Sequence, residues 1–153
     1  MMVSNDSQAL SKVTVGWREW ATLPELGIDA IKMKVDTGAR TSALHAYEVE
    51  TFERGGNEWV RFCIHPIQDQ NTIRECEAPV LDRRVVTDSG GHKEERPVIR
   101  TEIALGGRQW PIEITLTDRE NMKFRMLLGR TAMDLITVDP TASFLLGGTK
   151  EQP

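Results

Sequence analysis

The 153-residue chain has 39% hydrophobic and 27% charged residues and a formal charge of −4. Those figures describe one soluble globular domain of ordinary size, without the basic excess of a non-specific nucleic-acid binder. No apolar run approaches the ~20 residues of a membrane span, and the opening MMVSNDSQALSK lacks the apolar core of a secretory signal.

Residues 1–11 read as a flexible tail, 12–148 as a single domain and 149–153 as a second tail. Val13 to Glu19 is rich in strand formers, and Ala30 to Val35 alternates apolar and polar residues as a half-buried strand does. The stretch KVDTGARTSALH, residues 34–45, then breaks the pattern with a carboxylate and a glycine. Glu48 to Glu53 and Glu58 to Ile64 flank Arg54-Gly55-Gly56-Asn57, which predicts a hairpin. Two cysteines, Cys63 and Cys76, make no disulfide framework, and a reducing cytoplasm with free thiols is expected. Arg83 to Thr87 and Val98 to Leu105 enclose the polar stretch Asp88 to Lys93. Gly106-Gly107 turns the chain into Gln109 to Thr115, and Phe124 to Leu128 and Ser143 to Leu146 read as further strands. The best helical pattern is one short turn, Thr131 to Leu135. Short strands joined by Gly-rich turns predict an all-β barrel or sandwich.

Asp36 closes a strand whose other face is apolar, a costly place for a charge that is neither paired, hydrogen-bonded nor used. Gly38 permits close backbone approach, Ala39 keeps the loop uncrowded, and the Thr37 hydroxyl can lock it by a hydrogen bond. About ninety residues later comes Met126-Leu127-Leu128-Gly129-Arg130, an apolar strand broken by glycine. The pair K-V-D-T-G-A and M-L-L-G-R resembles the retropepsin-like aspartic proteases. The likeness extends from Gly16-Trp17-Arg18-Glu19 through Leu23-Pro24-Glu25-Leu26, D-T-G-A-R-T-S-A-L-H and Leu116-Thr117-Asp118-Arg119 to Leu146. Over this span the chain is similar to the RimK-associated retropepsin-like family, RimB-like, whose members carry the label ATP-dependent zinc protease.

That resemblance implies a closed retropepsin-like β-barrel with a β-hairpin flap, tipped by Ser89-Gly90-Gly91, and one short helix. It implies an aspartic peptidase with Asp36, Thr37 and Gly38 in the catalytic loop. Because the chain has one D-T-G-A loop, the second carboxylate must come from a homodimer partner, with Thr37 bracing the two loops. Retropepsins usually carry an acidic residue after D-T-G-A, where this chain has Arg40. Arg40 suggests an anionic substrate, and Arg83, Arg84 and Arg96 near the flap add guanidinium forks suited to carboxylates. Ala39, Thr41, His45, Ser89, Gly90 and Arg130 complete the expected substrate-binding set. The family's setting beside ATP-grasp glutamate ligases points to poly-glutamate tails as substrate and to the ligase as a functional partner. The competing reading is a non-catalytic module that binds glutamylated protein or regulates the ligase.

No G-x-x-x-x-G-K-[ST] phosphate loop occurs, so the nucleotide of the family label is assigned to the ligase. No H-E-x-x-H occurs either. The nitrogen and sulfur candidates are His45, His65, His92, Cys63 and Cys76, and closed zinc sites normally need four ligands. No metal and no cofactor are expected.

Overall fold

The computed structural model describes residues 12–66, 73–87, 90–118 and 124–147. Eleven strands follow in chain order: β1 (Val13–Val15), β2 (Arg18–Leu23), β3 (Ile28–Val35), β4 (Ser42–His45), β5 (Tyr47–Arg54), β6 (Asn57–Ile64), β7 (Arg74–Thr87), β8 (Lys93–Leu105), β9 (Arg108–Thr117), β10 (Met126–Leu128) and β11 (Ile136–Val138). Two 3-10 turns, Pro24–Leu26 and Arg130–Ala132, provide the helical content of the described residues.

Strands pair in the order β2-β3-β10-β4-β9-β8, and Thr22 of β2 meets Ala104 of β8 to close a six-stranded barrel. Alternation dictates what fills it. Ile31, Met33 and Val35 of β3 point inward while Lys32 and Lys34 point out. Leu23, Leu44, Ile99, Ile103, Ile114, Met126 and Leu128 complete a barrel interior of fully buried side chains. Burying each such residue contributes roughly 1.5–3 kcal/mol. The expected retropepsin-like barrel is therefore present.

β7 and β8 are much longer than the barrel needs. Their far ends pair from Asp82↔Val98 to Thr87↔Lys93 and stand out as the flap hairpin, while β7 also carries β6 and β5 beyond the barrel. Both expected Gly-Gly hairpin turns occur, with φ of 61° and 81° at Gly55 and Gly56 and 57° and 80° at Gly106 and Gly107. These left-handed pairs match the primed turns that suit strand twist. No helix among the described residues is long and apolar enough to cross a membrane.

The structure corrects four local expectations. Val13 to Glu19 is two strands, broken where Gly16 passes the Ala142 backbone; a Cβ there would lie 2.2 Å from the Ala142 carbonyl oxygen. Ser42–His45, for which no strand was expected, forms the buried strand β4. The turn expected over Thr131 to Leu135 begins at Arg130 and ends at Ala132. Ser143 to Leu146 is not a strand: the Phe144 N–H makes one backbone bond, to the Arg18 carbonyl at 2.9 Å, and the next two amides go to a side chain. The fully buried Glu19 carboxylate accepts N–H groups from Gly16 at 2.7 Å, Leu145 at 2.8 Å and Leu146 at 3.2 Å.

Glu19 thus ties the two ends of the described chain to the barrel. Glu19→Ala leaves three N–H donors without their acceptor and is expected to destabilise the fold by about 3 kcal/mol or more. A lowered urea midpoint with an unchanged slope is the expected result.

Candidate active site

Parallel pairing of β3 with β10 and antiparallel pairing of β10 with β4 bring Asp36 and Gly129 together from opposite halves of the sequence. The Asp36 N–H donates to the Leu128 carbonyl at 2.9 Å, continuing the ladder to the last residue before the turn. The Ala39 N–H then donates to the Asp36 carbonyl at 3.1 Å, and the Gly38 N–H donates to the Asp36 Oδ1 at 3.0 Å. The half-buried carboxylate is therefore held by its own loop.

Gly38 serves by close approach. A Cβ on it would stand 3.3 Å from Asp36 Oδ1, so a side chain would crowd the oxygen that the Gly38 amide holds. Gly129 is stricter. A Cβ there would lie 2.6 Å from the Thr41 carbonyl carbon and 2.9 Å from that of Arg40, both backbone atoms.

Around this contact four bonds clamp the loop. The Ser42 hydroxyl accepts the Gly129 N–H at 3.0 Å. The Arg130 N–H donates to the Ala39 carbonyl at 2.8 Å, and the Thr131 N–H to the Arg40 carbonyl at 3.0 Å. The Arg130 guanidinium reaches back to the Thr37 carbonyl at 3.0 Å. Ser42, which could be mistaken for a nucleophile, is a buried brace.

A groove of about 450 Å³ opens between this loop and the flap. Ala39, Arg40 and Thr41 line one side, Arg84 and Arg96 the other, so five of the expected substrate-binding residues meet in one place. Arg84↔Arg96 is a cross-strand pair of the flap. Arg40 is exposed and holds no ion pair among the described residues. Arg96 pairs with Glu94, and Arg84 with Glu113 at 2.7 Å and Asp82 at 3.5 Å. The Glu113 hydrogen bond, with Asp82 adding to it, raises the Arg84 pKa further. The groove also uses Val85, Val86, Ala43, Thr115 and Leu127. The sequence signalled these only as alternating strand residues, not as a site.

Other expected members lie elsewhere. Arg83, next to Arg84 on the strand, bonds Glu58 and Glu95 and does not line the groove. His45 ends β4 three residues beyond Ser42, where its ring packs near Tyr47 with centroids 6.5 Å apart. Gly90 is exposed at the flap tip, and Ser89 lies outside the described residues. A larger cavity of about 620 Å³ sits across the sheet near Trp59, Pro79 and Leu81, away from Asp36.

Cys63 and Cys76 are both free and buried. Burial, with the Glu48 carboxylate beside it, pushes the Cys63 thiol up and keeps it protonated. Among the described residues, no three His, Cys, Asp or Glu side chains converge as metal ligands would.

Gly129→Ala is expected to force β10 away from the Arg40–Thr41 backbone and to cost about 2–3 kcal/mol, as overpacking against rigid neighbours does. A lower thermal midpoint checks this.

The comparisons agree with this geometry. Residues 14–148 match the family model described as RimB-like, retropepsin-like aspartic endopeptidase RimB. A protein of Desulfotalea psychrophila named probable alpha-L-glutamate ligase is 47% identical over 148 residues, 95% of this chain and 32% of that one. One of Shewanella pealeana with the same name is 50% identical over 139 residues, 90% of this chain and 30% of that one. The chain thus spans about a third of the length of these curated relatives. A solved structure from Legionella pneumophila, of unknown function, superposes with a TM-score of 0.75 at 28% identity, covering 89% of this chain and 99% of that one. With its Asp36 loop locked against Gly129 in a closed barrel, and with a family match over most of its length, the chain belongs to the RimB-like family of retropepsin-like aspartic endopeptidases.

Proposed function

We propose that the chain is an aspartic peptidase that works as a homodimer and hydrolyses peptide bonds in acidic, poly-glutamate tails. The observation that carries this reading is the Asp36 carboxylate, fixed by the Gly38 amide at the edge of an arginine-lined groove. Peptide hydrolysis of this type needs two facing carboxylates that share one proton. One acts as base on a bridging water, while the protonated one polarises the scissile carbonyl.

The chain supplies one such loop. Asp134 follows the second 3-10 turn, and Asp139 accepts hydrogen bonds from the N–H and hydroxyl of Thr141. The second carboxylate is accordingly Asp36 of another copy, related by a two-fold axis. Thr37 and Gly38 are exposed, as a loop that meets its symmetry mate requires.

Substrate choice follows from charge. Arg40 has no carboxylate partner among the described residues, so an incoming glutamate meets its guanidinium one turn from Asp36. Arg84 and Arg96 exchange their surface carboxylate partners for those of the substrate. The glutamate-ligase names of the relatives support a functional link to such a ligase. Free cysteines fit a cytoplasmic setting.

Asp36→Asn keeps the loop's shape and removes the proton chemistry. It is expected to abolish hydrolysis of a glutamate-rich peptide, by at least about a thousandfold in kcat, while leaving peptide affinity within about threefold. Hydrolysis retained by this variant overturns Asp36 as the reacting carboxylate, and peptide binding without hydrolysis by the unaltered chain leaves a binding module.

A further inference from the structure

The outer face of β2 and β3, beside the Asp36 loop, carries cations that no carboxylate of the described residues answers. Alternation along β2 turns Glu19, Ala21 and Leu23 inward and leaves Arg18 and Trp20 outside, opposite Lys34 and Lys32 of β3. The Arg18 guanidinium lies against two rings, 4.6 Å from the Trp17 centroid and 4.8 Å from that of Phe144. The Lys32 ammonium sits 6.0 Å from the Trp20 centroid and 5.7 Å from that of Phe124. Trp17 meets Phe124 edge-on at 5.8 Å and Trp20 stacks on Phe144 at 6.4 Å, so the four rings form one frame around both cations.

Ring faces attract a cation, but they do not satisfy the in-plane N–H groups of a guanidinium or an indole. The Nε of Arg18, the Nε1 of Trp20 and the Nε of Arg125, the residue after Phe124, are buried and have no hydrogen-bond partner. An unmet buried donor costs roughly 1–3 kcal/mol. Among the described residues these enclosed donors meet no acceptor, and the charges that the face itself presents, Arg18, Lys32 and Lys34, have no carboxylate there to neutralise them. Arg54, Arg61, Arg83, Arg84 and Arg96 each hold a carboxylate, whereas Arg18, Lys32 and Arg125 hold none among the described residues.

The cluster's position gives it a use. The Val35 N–H donates to the Trp17 carbonyl at 2.8 Å, and Asp36 follows directly. The frame therefore begins beside the loop, on the β2 side of β3, while the arginine groove lies past β10 and β4 on the other. Its cations stand on the paired strands β2 and β3, which lie roughly 4.8 Å apart. Such spacing suits successive carboxylates along an extended chain better than one compact anion.

We propose that this face is a second subsite, which binds carboxylates of an acidic peptide whose chain continues past the Asp36 loop from the groove. The proposal rests on the substrate reading above, but binding and hydrolysis fail separately.

Calorimetry of a hexaglutamate peptide with the Asp36→Asn protein, at fixed ionic strength, tests it. Lys32→Gln and Arg125→Gln, each added to that background, are expected to weaken binding about tenfold, with hexaglutamine binding poorly throughout. Arg18→Gln is the stronger variant, and the two others keep the test readable if its packing fails. Unchanged affinity in Lys32→Gln and Arg125→Gln overturns the subsite. Loss of self-association without loss of peptide affinity also overturns it, by making the face a contact between copies. Turnover is read separately on the otherwise unaltered chain. Absent hydrolysis with variant-sensitive binding removes the peptidase reading alone, and hydrolysis with a KM unmoved by Lys32→Gln removes the subsite alone.

Discussion

The placement of Asp36 depends on a contact between two backbones. β10 leaves the barrel by crossing directly over the peptide groups of Arg40 and Thr41, a passage that only a residue without Cβ allows. Once Gly129 lies there, both ends of the loop are closed by short hydrogen bonds. Leu128 takes the amide of Asp36, Ser42 takes the amide of Gly129, and Ala39 and Arg40 take those of Arg130 and Thr131. The Arg130 side chain then holds the Thr37 carbonyl. A carboxylate at the end of an apolar strand is costly. Here its orientation comes from packed backbone, the rigid support that a reacting group needs.

Around that fixed point the long β7–β8 hairpin serves two purposes. Its barrel half supplies Ile99 and Ile103 to the core. Its outer half carries Arg84 and Arg96 over the loop to wall the groove. On the other side of β3, the ring frame holds the cations of Arg18 and Lys32. An acidic protein thus presents cations on both sides of one carboxylate loop. In the proposed reaction they select an anionic chain and hold it across the dyad, because Arg forks match carboxylates in geometry as well as charge.

Much of this was legible in the residues. The alternation of Ala30 to Val35 marked β3, the two Gly-Gly pairs marked hairpins, and D-T-G-A with L-L-G-R marked the loop and its brace. Four features resisted. β4 was hidden because Ser42 to His45 is buried along its whole length, so it shows no alternation. Ser143 to Leu146 looked like a strand because Phe144 to Leu146 is apolar, yet the amides of Leu145 and Leu146 go to Glu19, a side chain more than a hundred residues earlier. Arg83 and Arg84 were indistinguishable in the sequence. Strand alternation separates them, sending Arg83 to Glu58 and Glu95 and Arg84 to the groove. The aromatic frame was likewise unreadable, since its rings come from both ends of the domain.

The central claim is that one chain holds half of the reacting pair. Subunit mixing tests it most directly: the unaltered chain is equilibrated with increasing fractions of Asp36→Asn protein, and hydrolysis of a glutamate-rich peptide is followed. If each site needs one Asp36 from each copy, activity falls as the square of the unaltered fraction. A linear fall would show that single chains act alone and would contradict the account.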